Sequence, residues 1–225
     1  MSSSALLKTS LVKKYWMAAT GLFLCLFLLG HLAGNLQLFM TSEEGLLQFN
    51  AYAKFMTGNP VVKLLSYLTY FSILFHSVDG IMLARQNRMA RPVNYAMNKP
   101  GSSSSWASRK MALLGIFLLL FIIIHMKSFW YEMHFGNLPL DSAGNKDLYT
   151  ITIAAFKQGW FTFMYVFFMI MLALHLSHGF QSAFQTLGIN HPRYTPIVKK
   201  LGLGYAYLIP ALFAAIPLYI FFSNL

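Results

Sequence analysis

Five apolar stretches, at about 15–40, 61–84, 109–131, 160–186 and 200–222, constrain this chain more than any other feature. A helix crosses the hydrocarbon core of a bilayer with about 20 mostly apolar residues. Backbone amides cannot stay unpaired in lipid, so such stretches fold as helices. The expectation is an all-α integral membrane protein of five transmembrane helices, a single membrane domain over residues 1–225 with short loops. Composition agrees: 57% of residues are hydrophobic and only 10% charged, against about 25% charged in ordinary soluble domains. The first stretch follows Lys13 and Lys14, as a signal peptide would, but it is too long for one and carries His31, so it reads as a retained helix. The single cysteine, Cys25, excludes a disulfide or a thiolate metal cluster made by this chain alone.

Charge sets the expected orientation. Lys8, Lys13 and Lys14 precede the first stretch; Arg85, Arg88, Arg91, Lys99, Arg109 and Lys110 lie between the second and third; Arg193, Lys199 and Lys200 lie between the fourth and fifth. These segments hold twelve of the 17 basic residues, so the positive-inside rule predicts a cytoplasmic N-terminus and an external C-terminus. The net charge of +11 reads as topology signal and lipid headgroup contact; no soluble basic face is left for nucleic acid. The polar connection with Pro92, Pro100, Gly101 and Ser102 to Ser105 is expected to be partly mobile and to help dock a cytoplasmic partner. On the outer side, Leu46, Leu47, Phe49, Tyr52, Phe55 and Met56 share one helix face, and Leu148, Ile151, Ala154 and Phe156 another. Two interfacial helices are predicted there, either of which could form the lid of a pocket.

Ionisable side chains inside a membrane are costly and point to function. This chain has five such histidines, His31, His76, His125, His175 and His178, and each of the first four stretches supplies at least one. A lone membrane histidine more often links helices by a hydrogen bond, but a helix rise of about 1.5 Å per residue sorts these by depth. His31 and His125 fall about 24 Å from the inner boundary, and His76 and His175 about 15 to 18 Å from it. Two imidazoles from facing helices at one depth can be both axial ligands of a haem iron, so two levels predict two haems. Gly30, Gly34, Gly80 and Gly179 lie near these histidines in sequence and offer room for a porphyrin. Zinc wants its ligands clustered, which a dispersal over two depths does not provide. No Cys-x-x-Cys-His segment is present, so covalent haem attachment is not expected.

At these residues the sequence resembles the single-chain, di-haem cytochrome b subunits (b558 type) that anchor bacterial succinate dehydrogenases and fumarate reductases. The matching stretches are Gly30-His31-Leu32, Phe75-His76-Ser77-Val78-Asp79-Gly80, Ile124-His125-Met126 and Leu174-His175-Leu176-Ser177-His178-Gly179-Phe180. The resemblance extends over nearly the whole chain. It implies that His31 and His125 ligate an outer haem b iron, and His76 and His175 an inner one. It separates His175 from His178, since family members tend to carry Asn at the position of His178 and an aromatic residue at that of Asp79. It further implies a multi-pass protein of the bacterial cytoplasmic membrane that serves electron transport and the tricarboxylic acid cycle. Its partners would be a flavoprotein subunit that interconverts succinate and fumarate and an iron-sulfur subunit on the inner face. The anchor passes electrons to or from a membrane quinone, menaquinone or ubiquinone, and is not itself catalytic toward succinate.

Two other readings compete. A bis-histidine anchor of another quinone-linked dehydrogenase or hydrogenase commonly has four helices, which the fifth span disfavours. A small proton-coupled transporter would use the histidines as a relay. Glu44, Gln48, Asn50 and Lys54 are candidate quinone or proton-path groups, or simply a solvated interfacial face. Asp79 and His178 each sit three residues after an expected inner ligand and should lie beside the lower edge of that haem. His178 is expected to reach Asp79 or a propionate; the alternative for Asp79 is a link to Arg85 or Arg88.

Overall fold

A computed structural model of the chain describes residues 10–90 and 105–223. Lys8, and the connection with Arg91, Pro92, Lys99, Pro100, Gly101 and Ser102 to Ser104, lie outside the described residues. The described chain is all-helical, and five of its helices are long and apolar enough to cross a membrane. α1 (Ser10–Asn35) continues into a 3-10 turn, Leu36–Phe39. α2 (Glu43–Gly58) and α3 (Pro60–Met89) follow. α4 (Trp106–His125) runs through a π-helical turn, Met126–Trp130, into α5 (Tyr131–Phe135). α6 (Leu148–Phe156), α7 (Gly159–Thr186) and α8 (Thr195–Phe222) complete the order.

The long helices overrun the apolar stretches that announce them. α3 extends to Met89, α4 begins at Trp106 and α8 at Thr195. Hydropathy marks where lipid begins; side-chain caps mark where the helix begins, and the two differ. The Ser105 side chain accepts from Ser108 N (3.1 Å), and that of Asn59 accepts from Val61 N (2.9 Å) with Pro60 opening α3. Such caps satisfy N–H groups that have no intrahelical partner.

α1 packs on α3 and α7, and α7 also packs on α4 and α8. The α7–α8 seam closes where Gly202 faces the Phe180 ring: a Cβ there would stand 2.7 Å from that ring's Cδ1. Outward positions carry large apolar side chains such as Leu26, Leu64, Leu120, Ile170 and Leu208, a surface suited to hydrocarbon.

One end of the bundle is covered by α2, α6 and the loop between α5 and α6, and we call it the capped end; the other carries Lys13, Arg85, Arg109 and Lys199 and is the basic end. Asn50 knits the cap. It is wholly buried, its amide nitrogen donates to Asp141 Oδ2 (3.2 Å) and Asp147 Oδ1 (3.1 Å), and its carbonyl oxygen accepts from Tyr149 N (3.0 Å). Asp141 also receives the N–H groups of Ala143 (3.0 Å) and Asn145 (2.8 Å) around a turn in which Gly144 takes a left-handed φ of 76°. The Lys146 ammonium donates to the carbonyls of Met133 (2.9 Å) and Gly136 (3.3 Å), the loose end of α5, and the Tyr149 hydroxyl donates to Met40 O (3.1 Å).

The two short helices fall where periodicity places them, with different faces inward. α2 buries Gly45, Phe49, Asn50 and Ala53 and leaves Phe55 exposed; α6 buries Tyr149, Thr152 and Phe156 while Ala154 is exposed. An apolar stripe beside lipid has two apolar surroundings to choose from, so hydropathy alone does not select the protein-facing side. Asn50 is thus neither a solvated face nor a free polar group, because the loop carboxylates and Tyr149 use its hydrogen-bonding capacity.

Candidate functional site

The four histidines of α1, α3, α4 and α7 meet as two pairs. His31 and His125 have ring centroids 5.7 Å apart, with planes at 89°. His76 and His175 have centroids 6.2 Å apart, with planes at 69°. The first pair lies toward the capped end and the second toward the basic end. These are the pairings that depth counting puts together.

The levels are more widely spaced than counting from the charged boundaries suggests. Gly21, ten residues before His31 on α1, faces His76, since a Cβ there would stand 3.1 Å from His76 Cε1. Ten residues of helix span about 15 Å. Gly115, ten before His125, faces His175, where a Cβ would stand 3.9 Å from its Cε1, an ordinary contact. The helices pass their charged boundaries by unequal lengths, so contact with a neighbour is the better ruler.

Each ring is held in its own way. His125 Nδ1 lies 3.2 Å from the Tyr165 hydroxyl, and its ring sits between Phe121 (5.7 Å) and Phe129 (5.6 Å). His31 stacks on Phe27 (5.3 Å, 14°), meets Phe213 of α8 (5.7 Å), and has Asn35 Nδ2 at 3.5 Å from its Nδ1. His76 Nδ1 lies 3.2 Å from the Met17 carbonyl and 3.4 Å from Thr20 Oγ1. His175 Nδ1 is buried with no hydrogen-bond partner. Among the described residues no hydrogen bond uses Nε2 of any of the four.

Three of these arrangements go beyond the sequence reading. The glycines against histidines are Gly21 and Gly115; Gly30 has no neighbour within 4 Å, Gly34 receives the Tyr52 ring, and Gly80 and Gly179 meet Met17 and Met111. Tyr165, a residue of an apolar run, is the hydroxyl at His125. The π turn begins directly after His125, and such turns recur at functional sites. It brings Phe129 against Phe156 and Phe161, while Trp130 Nε1 donates to the Tyr70 hydroxyl of α3 (2.7 Å).

His178 is held by its own helix. Its Nε2 lies 3.0 Å from Ser182 Oγ, one turn along its own helix, and among the described residues no direct hydrogen bond joins it to Asp79. Among the described residues no ion pair joins Asp79 to Arg85 or Arg88 either. A Ser four residues on gives a helical imidazole a partner at no cost in reach, whereas Asp79 stands on another helix.

The donor set fits iron held by two imidazoles. Metal–imidazole nitrogen bonds are about 2.0 Å, which puts the ring centres of two opposed ligands about 6 Å apart. At His76 and His125, where Nδ1 can donate to the Met17 carbonyl and the Tyr165 hydroxyl, that tautomer leaves Nε2 for a metal, the usual division of labour in a ligating histidine. Among the described residues no three His, Cys, Asp or Glu side chains gather in one cluster. The histidines meet in twos. No family model, curated protein or solved structure matches the chain.

Proposed function

We propose that this chain is the haem-carrying membrane anchor of a bacterial succinate:quinone oxidoreductase, a cytochrome b that relays electrons between an iron-sulfur subunit and a membrane quinone. The observation that carries the reading is the pair of facing histidine couples on two levels. His31 and His125 would hold one haem b, and His76 and His175 the other. A bound haem supplies a one-electron carrier.

The residues of this chain set the conditions for that carrier. His31 and His125 lie among Phe27, Phe121, Phe129 and Phe213, which exclude water from the iron's surroundings. The basic end, with Arg85, Arg88, Arg109, Lys110, Lys199 and Lys200, faces the cytoplasm, where the iron-sulfur subunit and its flavoprotein neighbour dock. The capped end faces outward. Succinate chemistry belongs to the flavoprotein, because the chain has neither a dinucleotide fingerprint nor a cysteine framework.

A pyridine haemochrome assay on the purified protein tests the reading first: two haem b per polypeptide are expected, and one or none overturns it. Co-purification with a flavin-bearing subunit and succinate-dependent quinone reduction test the identity of the complex. Haem in a complex lacking that activity assigns the anchor to another dehydrogenase.

A further inference from the structure

We infer that Tyr165 is a positioning residue for the capped-end iron, its hydroxyl accepting the Nδ1 proton of His125 and thereby fixing that imidazole's tautomer and electron richness. The inference rests on the haem reading above and adds to it a residue that is not a ligand.

The ring of Tyr165 is buried and locked by its neighbours, with centroids 4.8 Å from Phe161 and 5.0 Å from both Phe121 and Phe156. Packed on three sides by rings, the phenol can aim its oxygen in few directions, and that oxygen lies 3.2 Å from His125 Nδ1. Among the described residues no other hydrogen bond reaches it. The bland role of a buried tyrosine is to tie its hydroxyl to a backbone carbonyl, as Tyr205 does to Cys25 O (2.6 Å) and Tyr149 to Met40 O (3.1 Å). Tyr165 is tied to an imidazole.

If Nε2 of His125 is the iron ligand, Nδ1 carries the ring's proton and donates it to the phenol oxygen. Such a bond moves electron density toward the metal and favours its oxidised state. The basic-end partner on the same helix, His175, has no acceptor at Nδ1, so the two levels differ in this respect. The distance of ten residues between Tyr165 and His175 gives α7 a ligand at one level and a support at the other.

The test is a redox titration of the intact complex carrying Tyr165→Phe, which keeps the ring and removes the oxygen. The capped-end component, identified as the one lost in His31→Ala, should shift upward by a two- to tenfold change in its oxidation equilibrium. At about 59 mV per tenfold for one electron, that is about 20 to 60 mV. Its low-spin electron paramagnetic resonance signal should move as well, and the basic-end component should stay. Tyr205→Phe is the control and should move neither. Should Tyr165→Phe fail to retain the haem, 3-fluorotyrosine at position 165 keeps ring and hydroxyl while weakening the acceptor, and a smaller upward shift is expected. An unmoved capped-end potential, or an equal shift in Tyr205→Phe, overturns the inference. Absence of haem from the wild-type protein overturns the underlying reading instead.

Discussion

The two histidine pairs match in ring spacing and differ in what holds the rings. At the capped end, side chains do it: Tyr165 on His125, Phe27 and Phe213 on His31, Phe121 and Phe129 around His125. At the basic end, backbone does it: the Met17 carbonyl accepts from His76, and Gly21 lets α1 approach the His76 ring, while Gly115 of α4 faces His175 with room to spare. Bulky residues around a rigid ring give a site that tolerates single trimming and is tuned by its polar contacts. A site made by close backbone approach has little to tune and is sensitive to added volume. The mutations that injure one level should therefore be of a different kind from those that injure the other.

The largest effect tests the pairing itself. On the proposed haem reading, replacing His76 or His175 by Ala should remove the basic-end haem and leave the capped-end one; His31→Ala or His125→Ala should do the reverse, because an iron held by two imidazoles needs both. Redox titration of the four variants reads this as the loss of one of two components. If His31→Ala and His76→Ala erase the same component, the pairing is wrong.

Gly21→Ala should come next. The added Cβ would stand 3.1 Å from His76 Cε1, and that ring is anchored on the Met17 carbonyl, so it has little room to yield. Haem occupancy at the basic end should fall several-fold with the capped end intact, measured by haemochrome and by the surviving redox component. Equal loss at both levels would mean that the glycine serves helix packing in general.

The cap offers a third contrast, because it belongs to one end only. Asn50→Ala leaves Tyr149 N without its acceptor, at a cost of about 1 to 3 kcal/mol, and releases the loop from α2. Faster proteolysis between residues 136 and 147 and a lower Tm are expected, with the basic-end component unchanged. Acid should act similarly. The N–H of Asn145 foremost, with the Asn50 amide and Ala143 N–H, holds the Asp141 carboxyl below its usual range. For Asp147, burial works to raise the carboxyl, but hydrogen bonds from Thr150 and Asn50 outweigh it and hold the group below its usual range. A carboxylate depressed on folding adds stability above its unfolded value, about 3.9, and that stability is lost as pH falls through the folded value. The cap should thus loosen below about pH 4, and in Asn50→Ala the acid loosening should begin at higher pH.

Much of this was legible in the sequence, and the boundary has a physical origin. Span number, helix order and the pairing of His31 with His125 and His76 with His175 follow from length, charge and a fixed rise per residue. Contacts made by residues with no chemical mark do not. Gly30 and Gly34 draw the eye beside His31, yet the glycine that meets a histidine is Gly21, on the level below. One signal was available: Gly21, Gly115 and Tyr165 each precede a histidine of their own helix by ten residues and touch a histidine of the other level. That interval is the distance between levels. The inward faces of α2 and α6 were hidden for another reason, since lipid and protein interior are both apolar and only the polar ties of Asn50 and Tyr149 reveal the inner side.

The smallest expected effect concerns Thr20, and it separates the two ends most finely. Its hydroxyl donates to the Trp16 carbonyl (2.7 Å), a common use of threonine in a membrane helix, and its oxygen stands 3.4 Å from His76 Nδ1. The Met17 carbonyl is nearer, at 3.2 Å, and although the Thr20 hydroxyl also lies 3.2 Å from it, a carbonyl oxygen has two lone pairs and can accept the Nδ1 hydrogen bond by itself. Thr20→Val keeps the shape of the side chain and leaves that carbonyl in place, so His76 retains its acceptor and its tautomer. The basic-end component should shift by less than a factor of about two in its oxidation equilibrium, under about 20 mV at 59 mV per tenfold. Tyr165→Phe removes the one acceptor that His125 Nδ1 has among the described residues and should shift the capped-end component more. Titrating the two variants in parallel decides the matter: if Thr20→Val moves its haem as far as Tyr165→Phe moves the other, the basic end is also held by side chains, and the contrast between a side-chain-built and a backbone-built site is lost.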